Sequence, residues 1–106
     1  MDKRKNVIKQ LKLFKRVVNK ELTIKQLLLF GSMAKNKTHK WSDIDLVVVS
    51  PTFKHKKSFK RASRLYDYWN LDYPVDFLCY TPKEFNKLKK QVTIVREAVR
   101  TGIEIK

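Results

Sequence analysis

Two short apolar runs, Leu27-Leu28-Leu29-Phe30 and Leu46-Val47-Val48-Val49, leave this chain little choice of architecture. Each is continuous rather than alternating, and each ends in a turn signal: Gly31 after the first, Ser50-Pro51 after the second. Runs of this length with such boundaries read as strands buried inside a sheet. Val75 to Tyr80 is a third strand, interrupted on one side by Asp76.

Helical spacing fills the intervals. Val7, Leu11, Phe14 and Val18 predict an amphipathic helix over 4–20 with its lysines outward. Phe59, Ala62, Leu65, Tyr66 and Trp69 predict a second over 55–70. Thr81-Pro82-Lys83-Glu84 has the form of a capping box with proline at the first helical position, which starts a helix through about Lys90. A last helix from about Val92 to Arg100 should stop at Gly102, a residue that suits a C-terminal cap. With a short helix after Gly31-Ser32, the expected fold class is α/β (α+β): a three-stranded mixed sheet with helices packed on it. A single domain over 1–106 is expected, since nothing reads as a long linker, repeat or low-complexity tract. The basic N-terminus lacks the apolar stretch of a signal peptide, no segment is long enough to span a bilayer, and Cys79 is the sole cysteine. These features lead us to expect a cytoplasmic protein with no membrane contact.

The formal net charge is +15, unevenly spread. Residues 1–20 carry eight Lys or Arg against Asp2, and Lys54 to Arg64 hold six with no acid. Such a balance favours polyanions, whether nucleic acid, nucleotide phosphates or an acidic protein surface, and equally describes a solvated lysine-rich surface. Charge alone does not choose between them.

Against that background the acids stand out. Asp43 and Asp45 flank Ile44 at the start of the second strand, so their side chains point the same way from α-carbons about 6.6 Å apart. At an effective dielectric of about 20 they repel by about 2 kcal/mol, and a cation between them relieves this. Oxygen donors with no neighbouring His or Cys suit a hard ion such as Mg²⁺ and disfavour zinc. Asp76 faces away from Val75 and Phe77; if a right-handed crossover sets the third strand beside the second, it joins Asp43 and Asp45 on one face. Gly31, at a strand end, lets the backbone approach a ligand, and a following helical turn would aim N–H groups and the Ser32 hydroxyl at a phosphate. Lys35, Lys37 and Lys40 could neutralise a triphosphate or simply be solvated. His39 and His55 lack metal-ligand spacing, Trp41 could cover a nucleobase but is expected to pack at its loop, and Tyr66, Tyr68, Trp69 and Tyr73 are expected to be mainly core and adjacent surface.

Gly31-Ser32, Ala34 and then Ser42-Asp43-Ile44-Asp45-Leu46 resemble the signature of the polymerase-beta-type nucleotidyltransferase superfamily, with Asp76 fitting its third carboxylate. The ending Ile94 to Ile105 looks like the minimal, stand-alone branch, so the resemblance covers essentially the whole chain and implies a polymerase-beta palm-like fold. One departure is Lys35-Asn36, where many members have Arg-Gly; it retains charge and changes the loop. The resemblance implies transfer of a nucleoside monophosphate, AMP from ATP, to a hydroxyl. Asp43 and Asp45 would hold two Mg²⁺ ions, Asp76 would complete the second site and help deprotonate the hydroxyl, and Gly31, Ser32 and Lys35 would bind the phosphates. It also implies a small helical partner of the HEPN type, with this chain as the antitoxin that adenylylates its toxin. A non-catalytic neutralising module, a nucleic-acid-binding protein using Lys57, Lys60 and Arg61, and an enzyme that adds nucleotides to RNA are the alternatives.

Overall fold

A computed structural model of the chain describes residues 3–35 and 43–106. Helix α1 (Lys3–Val18) buries Val7, Leu11, Phe14 and Val18, the four positions of the apolar stripe, and ends on Lys15 and Arg16, whose charges suit the negative end of the helix dipole. Strands β1 (Gln26–Phe30) and β2 (Ile44–Val49) follow. After a 3-10 turn at Pro51–Phe53, capped by the Ser50 hydroxyl accepting from the Thr52 N–H at 3.1 Å, come the short helices α2 (Ser58–Arg61) and α3 (Ser63–Asp67). Strand β3 (Val75–Tyr80) leads to α4 (Pro82–Leu88), which starts on the full capping box of Thr81 and Glu84. The chain ends through α5 (Ile94–Thr101), capped by the Thr93 hydroxyl, and the two-residue strand β4 (Ile103–Glu104).

The strands form one mixed sheet in the order β3-β2-β1-β4. β1 runs antiparallel to β2 and to β4, and β3 runs parallel to β2 through the crossover containing α2 and α3. Among the described residues the sheet thus has four strands, not the expected three. The added strand pairs Ile103 with Leu29, and two residues are too few to make a periodic signal in sequence.

Helices cover both faces, which is why the apolar runs are continuous. On one face Leu27, Leu29, Ile44, Leu46 and Val48 meet the buried stripe of α1 together with Phe53, Leu65 and Ile105. On the other, Leu28, Phe30, Val47 and Val49 meet Phe85 of α4 and Val95 and Ala98 of α5. Each such side chain contributes about 1.5–3 kcal/mol of hydrophobic stabilisation. Phe77 fastens β3 to the first layer, with its ring 5.0 Å from Tyr66, 5.7 Å from Trp69 and 5.9 Å from Phe14. Of the aromatic residues expected to be mainly core and adjacent surface, Tyr68, Trp69 and Tyr73 pack partly buried against this core and Tyr66 is exposed.

The helix predicted over 55–70 is corrected. It is two short pieces, Phe59 is 73 % exposed, and the buried residues include Arg61. Arg61 donates to Lys56 C=O at 3.1 Å and Cys79 C=O at 3.2 Å, and holds both carboxylate oxygens of Glu84, at 2.6 and 3.1 Å. A buried cation fixed in this way interrupts the apolar stripe, and a pattern of apolar residues cannot register it. It also removes Arg61 from the proposed nucleic-acid face, since reversing its charge would break an internal ion pair. Gly102 does follow the last helix, but in extended backbone (φ −83°, ψ 178°) rather than a left-handed cap. A Cβ there would lie 2.3 Å from Ala98 O and 2.8 Å from Leu29 O, so glycine serves the close approach of α5 to β1.

The Glu84 carboxyl is held below its ordinary value of 4.5, chiefly by the Arg61 hydrogen bond. A depressed folded-state pKa contributes stability that is present above the unfolded value and lost as pH falls through the folded one. Glu84→Gln is therefore expected to cost about 1 kcal/mol at pH 7, a figure reduced by the solvent reaching Glu84. In urea unfolding the gap between the two proteins should close below pH 4.5; a gap independent of pH would contradict the ion pair's role.

Candidate active site

The acids lie on the face that carries α4 and α5, at the end of the sheet where β2 and β3 begin. Asp45 follows the face parity of Val47 and Val49, and Asp76 that of Leu78 and Tyr80. The parallel register sets Asp45 directly opposite Asp76, and the antiparallel register sets Phe30 opposite Asp45 on its other side. Neighbouring strands are about 4.8 Å apart, so the two carboxylates share one small region. Asp43 stands just before β2, exposed, at the same parity as Asp45.

Burial pushes the Asp45 carboxyl above its ordinary value, and the negative charges of Asp76 and Asp43 push it further in the same direction. Asp76 and Asp43 thus both lie close enough to bear on the Asp45 carboxyl. Among the described residues no group of three or more His, Cys, Asp or Glu side chains is placed to hold a metal ion, so Asp43, Asp45 and Asp76 are not gathered into the three-carboxylate cluster expected from the sequence. The donor chemistry nevertheless fits a hard divalent cation, which takes one or two carboxylates and completes its shell from water and phosphate oxygens.

Gly31 closes the site from β1. Its φ is +76°, and a Cβ would sit 2.5 Å from Asp45 Oδ2, so only glycine permits both the turn and the packing against the carboxylate. The short helix expected next is a single turn, closed by the Lys35 N–H donating to Gly31 C=O at 3.2 Å. Ser32 is half-buried in that turn and Lys35 is exposed. A single turn carries little dipole, so any anion grip here rests on local N–H groups and the Ser32 hydroxyl. Asn36, Lys37, His39, Lys40, Trp41 and Ser42 lie outside the described residues. The start of α1 braces the turn through Arg4, which donates to Ala34 C=O at 3.2 Å.

Asp45 and Asp76 open into a cleft of about 360 Å³ whose remaining lining is apolar: Phe30, Phe77, Leu78 and Ile94. Sequence reasoning missed Phe30 and Ile94 as site residues. Phe30 shares the face of Asp45 through the antiparallel register of β1 with β2, which strand periodicity alone does not give. No local signal marks Ile94, which is 54 % exposed at the first position of α5.

The family profile described as "Nucleotidyltransferase domain" matches residues 11–100. Among solved structures, a proposed nucleotidyltransferase from Sulfolobus solfataricus superposes with a TM-score of 0.68 at 18% identity, over 95% of this chain and 80% of that one. No curated protein matches the chain.

Two outcomes test the geometry. Gly31→Ala is expected to lose about 1–3 kcal/mol of stability in urea unfolding, because the substitution meets both a positive φ and the Asp45 carboxylate. Asp45→Asn is expected to stabilise the metal-free protein by up to about 1 kcal/mol, solvent screening included, and to abolish any rise in Tm that Mg²⁺ gives the wild type. A destabilised Asp45→Asn that still responds to Mg²⁺ would contradict the three-acid arrangement.

Proposed function

The chain belongs to the nucleotidyltransferase domain family, and from that premise we propose that it transfers AMP from ATP to a hydroxyl of a partner protein, releasing pyrophosphate. The observation that carries the reading is the register of Asp45 opposite Asp76, with Gly31 against Asp45 on the other side. Asp43, Asp45 and Asp76 would hold Mg²⁺, two ions in the full complex, and when bound these would neutralise the phosphate oxygens in the transition state.

The protein's own groups do the rest. Gly31 lets the triphosphate approach the backbone, and the Ser32 hydroxyl and the Lys35 ammonium face its β- and γ-phosphates. Asp76, on the outer strand of the pair, takes the proton of the incoming hydroxyl. The hydroxyl oxygen then bonds to the α-phosphorus, the bond from that phosphorus to the bridging oxygen breaks, and pyrophosphate leaves with the electron pair. The Asp45 carboxyl, raised first by burial and then by the charges of Asp76 and Asp43, fits a ligand awaiting a cation, because a divalent ion would offset what disfavours its carboxylate form in the free protein.

For the acceptor, the resemblance to minimal stand-alone members supports a small helical HEPN-type protein, with this chain as the antitoxin of the pair. The net charge of +15 favours a second reading, in which the same donor site adds nucleotides to an RNA end. Labelled ATP with Mg²⁺ and the product of the neighbouring gene separates them. The partner should carry the label, RNA should not be extended, and Asp43→Ala or Asp76→Ala should lower labelling by at least about a hundredfold. Undiminished labelling by Asp43→Ala would sink the proposal.

A further inference from the structure

Strand β3 is an edge of the sheet, and its ladder bonds show which of its groups face outward. Ile44 N–H donates to Pro74 C=O at 2.9 Å and Ser50 N–H to Tyr80 C=O at 3.0 Å. In a parallel ladder this turns the even-numbered residues toward β2 and the odd-numbered ones toward the open edge. Two of the outward carbonyls are covered from within: Val75 C=O accepts from the Tyr66 hydroxyl at 3.1 Å, and Cys79 C=O from Arg61. Between them Phe77 presents both N–H and C=O, and among the described residues neither meets a side chain.

This edge is the floor of a groove of about 580 Å³, made by Phe77, Leu78, Cys79 and Tyr80 between α2 and α4. Phe77 and Leu78 also line the cleft of Asp45 and Asp76, so the groove runs into the site. Lys87 lines the groove, and the segments that supply its walls are rich in lysine, although Lys89 lines a separate pocket. Residues 54–60 carry four exposed lysines and residues 83–90 another four, while the acid among them, Glu84, is tied to Arg61.

We infer that this edge docks an extended, acidic segment of the acceptor protein by strand addition at Phe77. That the segment is the acceptor rests on the transfer reading above; the docking itself needs neither nucleotide nor metal. A residue added beside Asp76 projects to the same face one strand spacing away, about 4.8 Å, so a serine or threonine hydroxyl there comes within reach of the Asp76 carboxylate. The lysines select for acidic flanks. A polynucleotide could satisfy the lysines, whereas paired N–H and C=O groups at Phe77 match a peptide backbone.

The probes are a short synthetic peptide alternating glutamate with threonine, its lysine–threonine counterpart, and oligouridylate, each added to ¹⁵N-labelled protein without nucleotide. The acidic peptide should shift the Phe77 amide resonance and protect it from hydrogen exchange, and the basic one should not bind. Combined Lys57→Glu, Lys60→Glu and Lys87→Glu, at exposed positions where folding can be verified by melting, should weaken binding about tenfold or more. Asp45→Asn should bind as the wild type does. An unprotected Phe77 amide with peptide bound, equal binding of the basic peptide, or tighter binding of oligouridylate at this edge each overturns the inference. Normal docking without AMP transfer overturns the transfer reading and leaves the docking surface standing.

Discussion

The parallel pairing of β2 with β3 places Asp45 across from Asp76, and most of the molecule can be understood as holding that pair in place. Like charges on adjacent strands at one register position oppose the pairing that brings them together. The ladder survives because the rest of it is apolar: Leu46, Val47, Val48 and Val49 pair with Phe77, Leu78, Cys79 and Tyr80, with helices above and below. The repulsion is confined to the strand ends, where water and a cation can reach it. The same pair placed in mid-strand would lie under α4 or α1, desolvated and beyond the reach of any substrate.

The supports around the pair each solve a local problem. A parallel neighbour requires a crossover, and the crossover supplies Tyr66 and Arg61, which occupy outward carbonyls of β3 that would otherwise invite indiscriminate pairing. Burying Arg61 demands a counter-charge, and Glu84 provides it while also completing the N-cap of α4. One carboxylate thus joins the helix start, the buried cation and the edge strand. Gly31 and Gly102 are both needed for steric reasons near the C-terminal end of β1, one against a carboxylate, the other against two carbonyl oxygens.

The parts of this design legible in the sequence were those carried by apolar pattern and turn chemistry. The stripe of α1, the three longer strands and the capping box of α4 follow from residues whose preference and burial agree. Asp43, Asp45 and Asp76 were legible as same-face acids because strand parity is a strict period of two. Phe30 lay beyond parity, since it meets Asp45 only through the register of β1 with β2. The rest lacked a local signal. β4 is held by a few bonds to β1 that depend on where α5 delivers the chain, and Ile94 reaches the cleft through the same placement. The 55–70 segment misled because Arg61 took the buried position that an apolar residue normally fills, and its partners, Cys79 and Glu84, come from other elements.

The charge of +15 and the acidic site are complementary. Three carboxylates alone would repel a triphosphate. Set within a basic surface, they create a negative point inside a positive field: the field raises the local concentration of anions, and on the proposed transfer reading the point would recruit the cation those anions require. The long-range attraction is screened over about 8 Å at physiological ionic strength, so it acts on arrival and not on alignment. On the proposed reading, alignment would come from short-range groups: Gly31, Ser32 and the acids on the donor side, and the outward N–H and C=O of Phe77 on the acceptor side. Anions of several kinds are drawn to such a surface, and if the docking proposed above holds, the backbone geometry of β3, one strand away from Asp45, would set which of them can present a hydroxyl to Asp76.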